Sequence, residues 1–318
     1  MNIKKKIYTA FFLLLTALIL TNSESSLKLA LNGLNLWFQK MIPTLFPFMI
    51  LSGIMVRMNL TGDFAALFYP ILHPLFSLSK NAVYCIIMGF LCGFPMGAKV
   101  IGELYERGGL SKGEATYLLA FCNNIGPIYF MGFALPSIGI TGKLWIFLFG
   151  MYGLPMLYGL FLRYTVYRKA LTDISDKKTL SGTRAANAPS IQKHLLSAEN
   201  QSLLYHIDDS IMSAINGITS LGGYMILFSL LNLVPQVLLG SQAPILPLLN
   251  GLLEITSGIN RMGSTFALAV LILLPFGGLS CIAQTYSMIR RTDLSIKTYV
   301  VHKLMLSFLT ALYYALML

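Results

Sequence analysis

The sequence predicts an all-α polytopic membrane protein built from two inverted repeats, each containing a re-entrant hairpin and a broken transmembrane helix. Three observations predict it. The 318 residues are 56% hydrophobic and only 11% charged, with a mean hydropathy of +0.70, outside the range of ordinary soluble domains. Apolar runs of membrane-spanning length are broken at points rich in glycine and proline, such as "CGFPMGAK" and "CNNIGP". The same order of elements then occurs twice along the chain.

The net charge of +11 fits the Lys/Arg bias of cytoplasmic loops. No nucleic-acid-binding motif accompanies it, so the bilayer rather than RNA or DNA is the expected partner. Cys85, Cys92, Cys122 and Cys281 lie in apolar segments without metal-ligand spacing. They read as buried thiols, and neither a metal nor a cofactor is expected.

Residues 1–40 read as an N-terminal transmembrane helix, Ile7 to Thr21, followed by an interfacial helix, Ser26 to Lys40, whose apolar residues recur at helical spacing. The start resembles a signal peptide but lacks an A-x-A-like cleavage site. Residues 41–163 form the first repeat. A crossing from Met41 to Leu60 with Pro43 and Pro47 precedes a short aromatic interfacial stretch, Asp63 to Leu78. The segment Ala82 to Leu91 is only half a span before Gly93, Pro95 and Gly97 break it, and "VIGELYERGG" leads back to polar ground. Two half-length arms meeting at such a tip describe a re-entrant hairpin, tolerated at membrane depth where protein or water surrounds it. Ser111 and Glu114 fit a capping box that starts the next helix. That helix breaks at Cys122 to Pro127, where Gly126 and Pro127 interrupt it, and Lys143 to Arg163 is a further crossing.

Residues 164–201 read as a basic soluble linker, and residues 202–318 as the second repeat. Gly217 to Val234 is its first crossing. "LLNGLLEITSGIN" aligns without gaps on "IMGFLCGFPMGAK", placing Gly258 opposite Gly97 and Asn260 opposite Lys99. "LPFGGLSCIAQTYSMI", with Gly277 and Gly278, is the second broken crossing, and Ile296 to Leu316 is the last. Starting with Lys4, Lys5 and Lys6 in the cytoplasm, seven crossings put Arg57, Lys80, Arg107, Lys112, the basic linker and Arg290, Arg291 and Lys297 inside, with an external C-terminus. Lys28, Lys40, Lys143 and Arg261 fall outside. An odd number of crossings separates matching elements, so the repeats are inverted.

Four short patterns, "GFPMGAK", "FCNNIGP", "LEITSG" and "FGGLSCIAQ", occur in an order that resembles the bacterial nucleoside-recognition (Gate domain) membrane family, in its sporulation branch. The resemblance covers about residues 41 to 315. It implies a fold similar to the concentrative nucleoside transporters, an endospore-forming bacterium, and a role in spore cortex formation in the sporulating cell's membranes.

Helix breaks leave backbone N–H and C=O groups without helical partners, which can receive ions or polar solutes. The candidate binding residues are Lys99, Asn123, Asn124, Glu254, Thr256, Ser257, Ser280 and Gln284. Glu254 is the acid deep in an apolar segment of the second half, where a carboxylate costs about 2.5–3.5 kcal/mol on the insertion scale. Lys99 either shares a cavity with Glu254 or reaches to the cytoplasmic surface. The amides and hydroxyls suit an uncharged polar solute, and equally suit the capping of broken helix ends. The glycines and prolines at the breaks also suit close helix packing. His73, His194, His206 and His302 are read as interfacial or loop residues without a catalytic role, and no nucleophile/base pair marks an enzyme. Transport or gating of a small polar solute, with a coupling ion or proton, is the expected function. A non-transporting sporulation scaffold is the alternative, and either is compatible with an oligomer.

Overall fold

The computed structural model of the chain describes residues 3–171 and 202–317. Most of the 164–201 linker, with Arg184 and His194, lies outside the described residues. Those described contain helices and no strand. Five helical runs are long and apolar enough to cross a membrane: Ser23–Arg57, Leu144–Tyr164, Leu203–Leu239, Ile255–Ile289 and Ile296–Met317. A sixth is reached if Tyr69–Phe76 and Lys80–Cys92, bent by 103° from each other, count as one span.

The N-terminal helix α1 (Ile3–Thr21) starts on three lysines and buries none of its residues. The next two helices, α2 (Ser23–Leu36) and α3 (Ile42–Arg57), are joined through a π turn at Trp37–Met41 into one continuous run. Ser26 to Lys40, expected as an interfacial helix, is therefore the first part of a longer helix. Its stripe of Ser26, Leu29, Gly33 and Leu36 is buried. A Cβ placed on Gly33 would lie 2.9 Å from Ser229 Oγ, and Trp37 Nε1–H donates to the Ile218 carbonyl at 2.8 Å. The helical spacing of that stripe is thus a helix–helix seam, made close by a small residue. The short helices α4 (Thr61–Ala66) and α5 (Tyr69–Phe76) follow.

The first pair of arms is α6 (Lys80–Cys92) and α7 (Met96–Glu106), which pack on each other across the Gly93 to Pro95 break. Helix α8 (Lys112–Phe121) starts in the capping box expected from Ser111 and Glu114. The chain unwinds from Cys122 to Gly126 and re-enters helix α9 at Pro127, which continues through a π turn at Phe130–Ala134 to Ser137. Pro127 occupies the first helical turn, where a missing N–H costs nothing. Helix α10 (Leu144–Tyr164) closes the first half.

The second half begins with α11 (Leu203–Leu231) and the short α12 (Leu233–Leu239). Its arms are α13 (Leu246–Leu253) and α14 (Ile255–Met262), folded against each other with Glu254 alone between them. Helix α15 (Ala267–Leu273) is separated by a short turn and Gly277 from α16 (Gly278–Ile289), and α17 (Ile296–Met317) ends the chain. In the ungapped alignment of the halves, Gly93 lies opposite Glu254, and both positions are the breaks.

The spanning count differs from the seven crossings expected for two reasons. Three lysines burden α1, and the unwound stretch after Phe121 leaves α8 and α9 each too short to span about 30 Å of hydrocarbon. The four cysteines are unpaired and buried as expected. His206 and His302 are buried within α11 and α17 rather than placed in loops. The His302 ring nitrogens bond Tyr158 at 2.7 Å and Tyr167 at 3.1 Å.

Candidate functional site

Each pair of arms touches the break in its own half, backbone against backbone. Gly93 has φ of +84°, a conformation that a side chain strains, and a Cβ there would lie 2.7 Å from Gly126 Cα. Gly126 in turn faces the Cys92 carbonyl, and Gly97 faces the backbone of Cys122 and Asn123. In the second half Gly258 packs on Gly251, and Gly278 packs on the carbonyls of Gly251 and Leu252. Pro95 is buried at the first tip. The two halves meet where Phe94, from the first tip, lies against Gly277 of the second break.

At that meeting point lies a narrow, open-mouthed pocket with a cavity volume of about 70 Å³. Leu91, Cys92 and Phe94 come from the first tip, Gly126 and Tyr129 from the first break, and Glu254 and Thr256 from the second tip. Gln284 and Cys281 of α16 complete the far wall, with Phe48 and Thr44 of α3 opposite. Three of the eight candidate binding residues, Glu254, Thr256 and Gln284, therefore line one pocket.

Glu254 is 1% exposed. It is the N-cap of α14, and its carboxylate accepts from the Thr256 N–H at 3.1 Å and the Ser257 N–H at 2.6 Å. Two N–H groups and the positive end of a helix support the charge, and each carboxylate oxygen keeps capacity to accept a further bond. The Tyr129 hydroxyl is buried beside Thr256. Gln284 donates to Ser280 at 3.0 Å.

The remaining candidates lie elsewhere. Ser257 lines a separate surface pocket with Lys28, Asn32 and Arg261. Ser280 serves Gln284 behind the pocket wall. Asn123 spends its amide on Thr285 and Tyr299, each at 3.0 Å, and receives the Ala98 N–H at 3.3 Å. Asn124 donates to the Phe121 carbonyl at 2.6 Å, tying off the end of α8. Lys99 pairs with Glu103, four residues on in α7, and with Ser213 of α11 at 3.3 Å. The expected sharing of a cavity by Lys99 and Glu254 is not what the geometry gives. Each has its own partners, because a lysine one turn above a glutamate on the same helix finds it first.

The sequence reading missed Lys303. This lysine of α17 is fully buried, donates to the Asn123 carbonyl and to Asn124 Oδ1 at 2.9 Å, and stands 4.7 Å from the centre of the Phe94 ring. Its signal was available: it is the basic residue set furthest inside the apolar run of the last span, where a charge marks a partner or a pathway.

Residues 38–155 match the family described as Gate, nucleoside recognition, as the resemblance led one to expect; two of the four motifs, "GFPMGAK" and "FCNNIGP", lie within the match. In class, the chain is a multi-pass membrane protein, all-helical among the described residues, with one segment that matches the Gate family. Across its length it is similar to the sporulation integral membrane protein YlbJ of Bacillus subtilis (strain 168). The two are 27% identical over 333 residues, covering 96% of this chain and 81% of that protein. No solved structure matches it.

Proposed function

We propose that this protein acts in sporulation by binding a small polar solute, a nucleoside-like compound among the candidates, and passing or gating it across a membrane of the sporulating cell for cortex formation. The observation that carries the reading is the convergence of both tips and both breaks on one pocket, whose lining includes a supported carboxylate, an amide and a phenol. In this reading the α6–α7 and α13–α14 pairs are re-entrant hairpins of inverted repeats, entering from opposite faces. The N-terminus is cytoplasmic and the C-terminus external. Aromatic and aliphatic walls would hold the flat or apolar face of the solute while Glu254 and Gln284 read its donors.

Uptake of labelled nucleosides and other small polar solutes into proteoliposomes, with and without ion gradients, tests it. Glu254→Gln should lower uptake roughly tenfold or more, since a hydrogen bond to a charged group is worth about 1.5–3 kcal/mol. Absence of uptake for every solute, together with normal heat-resistant spores from a Glu254→Gln strain, would favour the scaffold. For orientation, cysteine at Ser241 should react with an impermeant thiol reagent in intact cells and cysteine at Arg184 should not. The opposite labelling would reject the inverted arrangement.

A further inference from the structure

The buried lysine at the first break has an unusual set of partners. Lys303 contacts no carboxylate among the described residues; its ammonium bonds only neutral oxygens, the Asn123 carbonyl and the Asn124 side-chain oxygen. The rings of Phe94 and Tyr299 lie at 4.7 and 5.6 Å and supply cation–π attraction. The Asn123 carbonyl belongs to the stretch unwound just beyond the C-terminal end of α8, where carbonyls lack helical donors and the helix dipole is negative. Neutral oxygens at the end of a broken half-helix are the donor set that membrane transporters use to hold a monovalent cation.

We propose that the Lys303 ammonium is a tethered occupant of what would otherwise be a monovalent-cation site at the first helix break, so that this break is held together without a bound alkali ion. The charge a coupling ion would bring is supplied from α17, by a side chain that cannot leave with a solute. Lys303 is thus a positioning residue: it fixes the unwound Asn123 and Asn124 and, through Phe94, one wall of the pocket. This inference concerns the cation at the break and stands whether or not the pocket takes a nucleoside.

The test compares the purified protein in sodium chloride, potassium chloride and choline chloride at equal ionic strength. The unaltered protein should melt at the same temperature in all three and show no saturable binding of radioactive sodium. Lys303→Ala, which empties the oxygens, should be recovered as a monodisperse species several-fold better in sodium or potassium than in choline, and should gain saturable alkali-ion binding. Lys303→Arg, which keeps the charge, should remain indifferent to the cation. Sodium binding or sodium-specific stabilisation of the unaltered protein would overturn the proposal. Equal recovery, or equal aggregation, of Lys303→Ala in all three salts would overturn it as well.

Discussion

Gly258→Ala puts the tightest packing in the second half to the test. A Cβ at this position would lie 2.5 Å from the Gly251 nitrogen and 3.1 Å from the Asn250 carbonyl carbon. The first of these distances is about 1 Å shorter than the closest comfortable contact of ~3.5 Å. The obstacle is backbone, so no side chain can swing away. Nor can the arms part easily, because Glu254 alone joins α13 to α14 and its carboxylate is committed to the first turn of α14. Overpacking costs typically about 1–3 kcal/mol, and a rigid backbone obstacle places this substitution at the top of that range, near 3 kcal/mol. Gly223→Ala is the control: it lies in the exposed face of α11, a Cβ there meets nothing within 4 Å, and helix propensity alone favours alanine by about 1 kcal/mol. The assay is melting of each variant in detergent, followed as loss of the monodisperse peak on size exclusion. Gly258→Ala should melt well below the unaltered protein and Gly223→Ala at or slightly above it. Equal melting of the two alanine variants would falsify the close backbone packing of α13 on α14.

Three further outcomes follow from pairs in the structure. In a double-mutant cycle, Lys99→Met and Glu103→Gln should be strongly non-additive in melting temperature, whereas Lys99→Met and Glu254→Gln should add, because only the first pair is in contact; additivity in both cycles would remove the Lys99 pairing. Trp37→Phe deletes the donor to the Ile218 carbonyl and should destabilise the α2–α11 seam by about 1–2 kcal/mol, read in the same melting assay; an unchanged melt would show the bond to be unimportant. Asp293, outside the spanning helices, has its carboxyl held below the usual range by hydrogen bonds from Lys112 and Tyr105. A lowered folded-state value means the stabilisation is complete above the ordinary carboxylate range and disappears as pH falls through the folded-state value. Asp293→Asn should therefore melt lower than the unaltered protein at pH 7 and match it in strong acid; a gap independent of pH would exclude this pairing.

The breaks were legible because they are written in residue types that have one local meaning. Glycine and proline at Gly93 to Gly97, at Gly126 and Pro127, and at Gly277 and Gly278 interrupt apolar runs, and helices end at each of these points. The cap at Ser111 and Glu114 was legible for the same reason, since its chemistry involves only neighbours in the chain. What the sequence hid was partner choice over long separations. Asn123 and Asn124 look like solute ligands when read alone, yet Thr285, Tyr299 and Lys303 arrive from far along the chain to occupy them. The stripe in Ser26 to Lys40 has the same period whether it faces headgroups or another helix, and the small residues Gly33 and Gly222 on both sides decide for the helix. A periodic pattern gives the buried face of a segment but not what buries it.

The placement of charge gives the two breaks different physical roles, although their sequences align. At the second tip a carboxylate is supported by N–H groups at the start of a helix; at the first break an ammonium is supported by oxygens beyond the end of one. Each charge sits at the helix terminus of opposite sign, so each break is electrostatically satisfied within its own neighbourhood. Only the anion lines the pocket, however, while the cation is covered by Phe94. The charged group in the pocket lining is therefore the negative one, with Gln284 and Tyr129 also lining it. Under the proposed function, a solute that donates hydrogen bonds to this wall is favoured over an anion, for which the same carboxylate is a barrier.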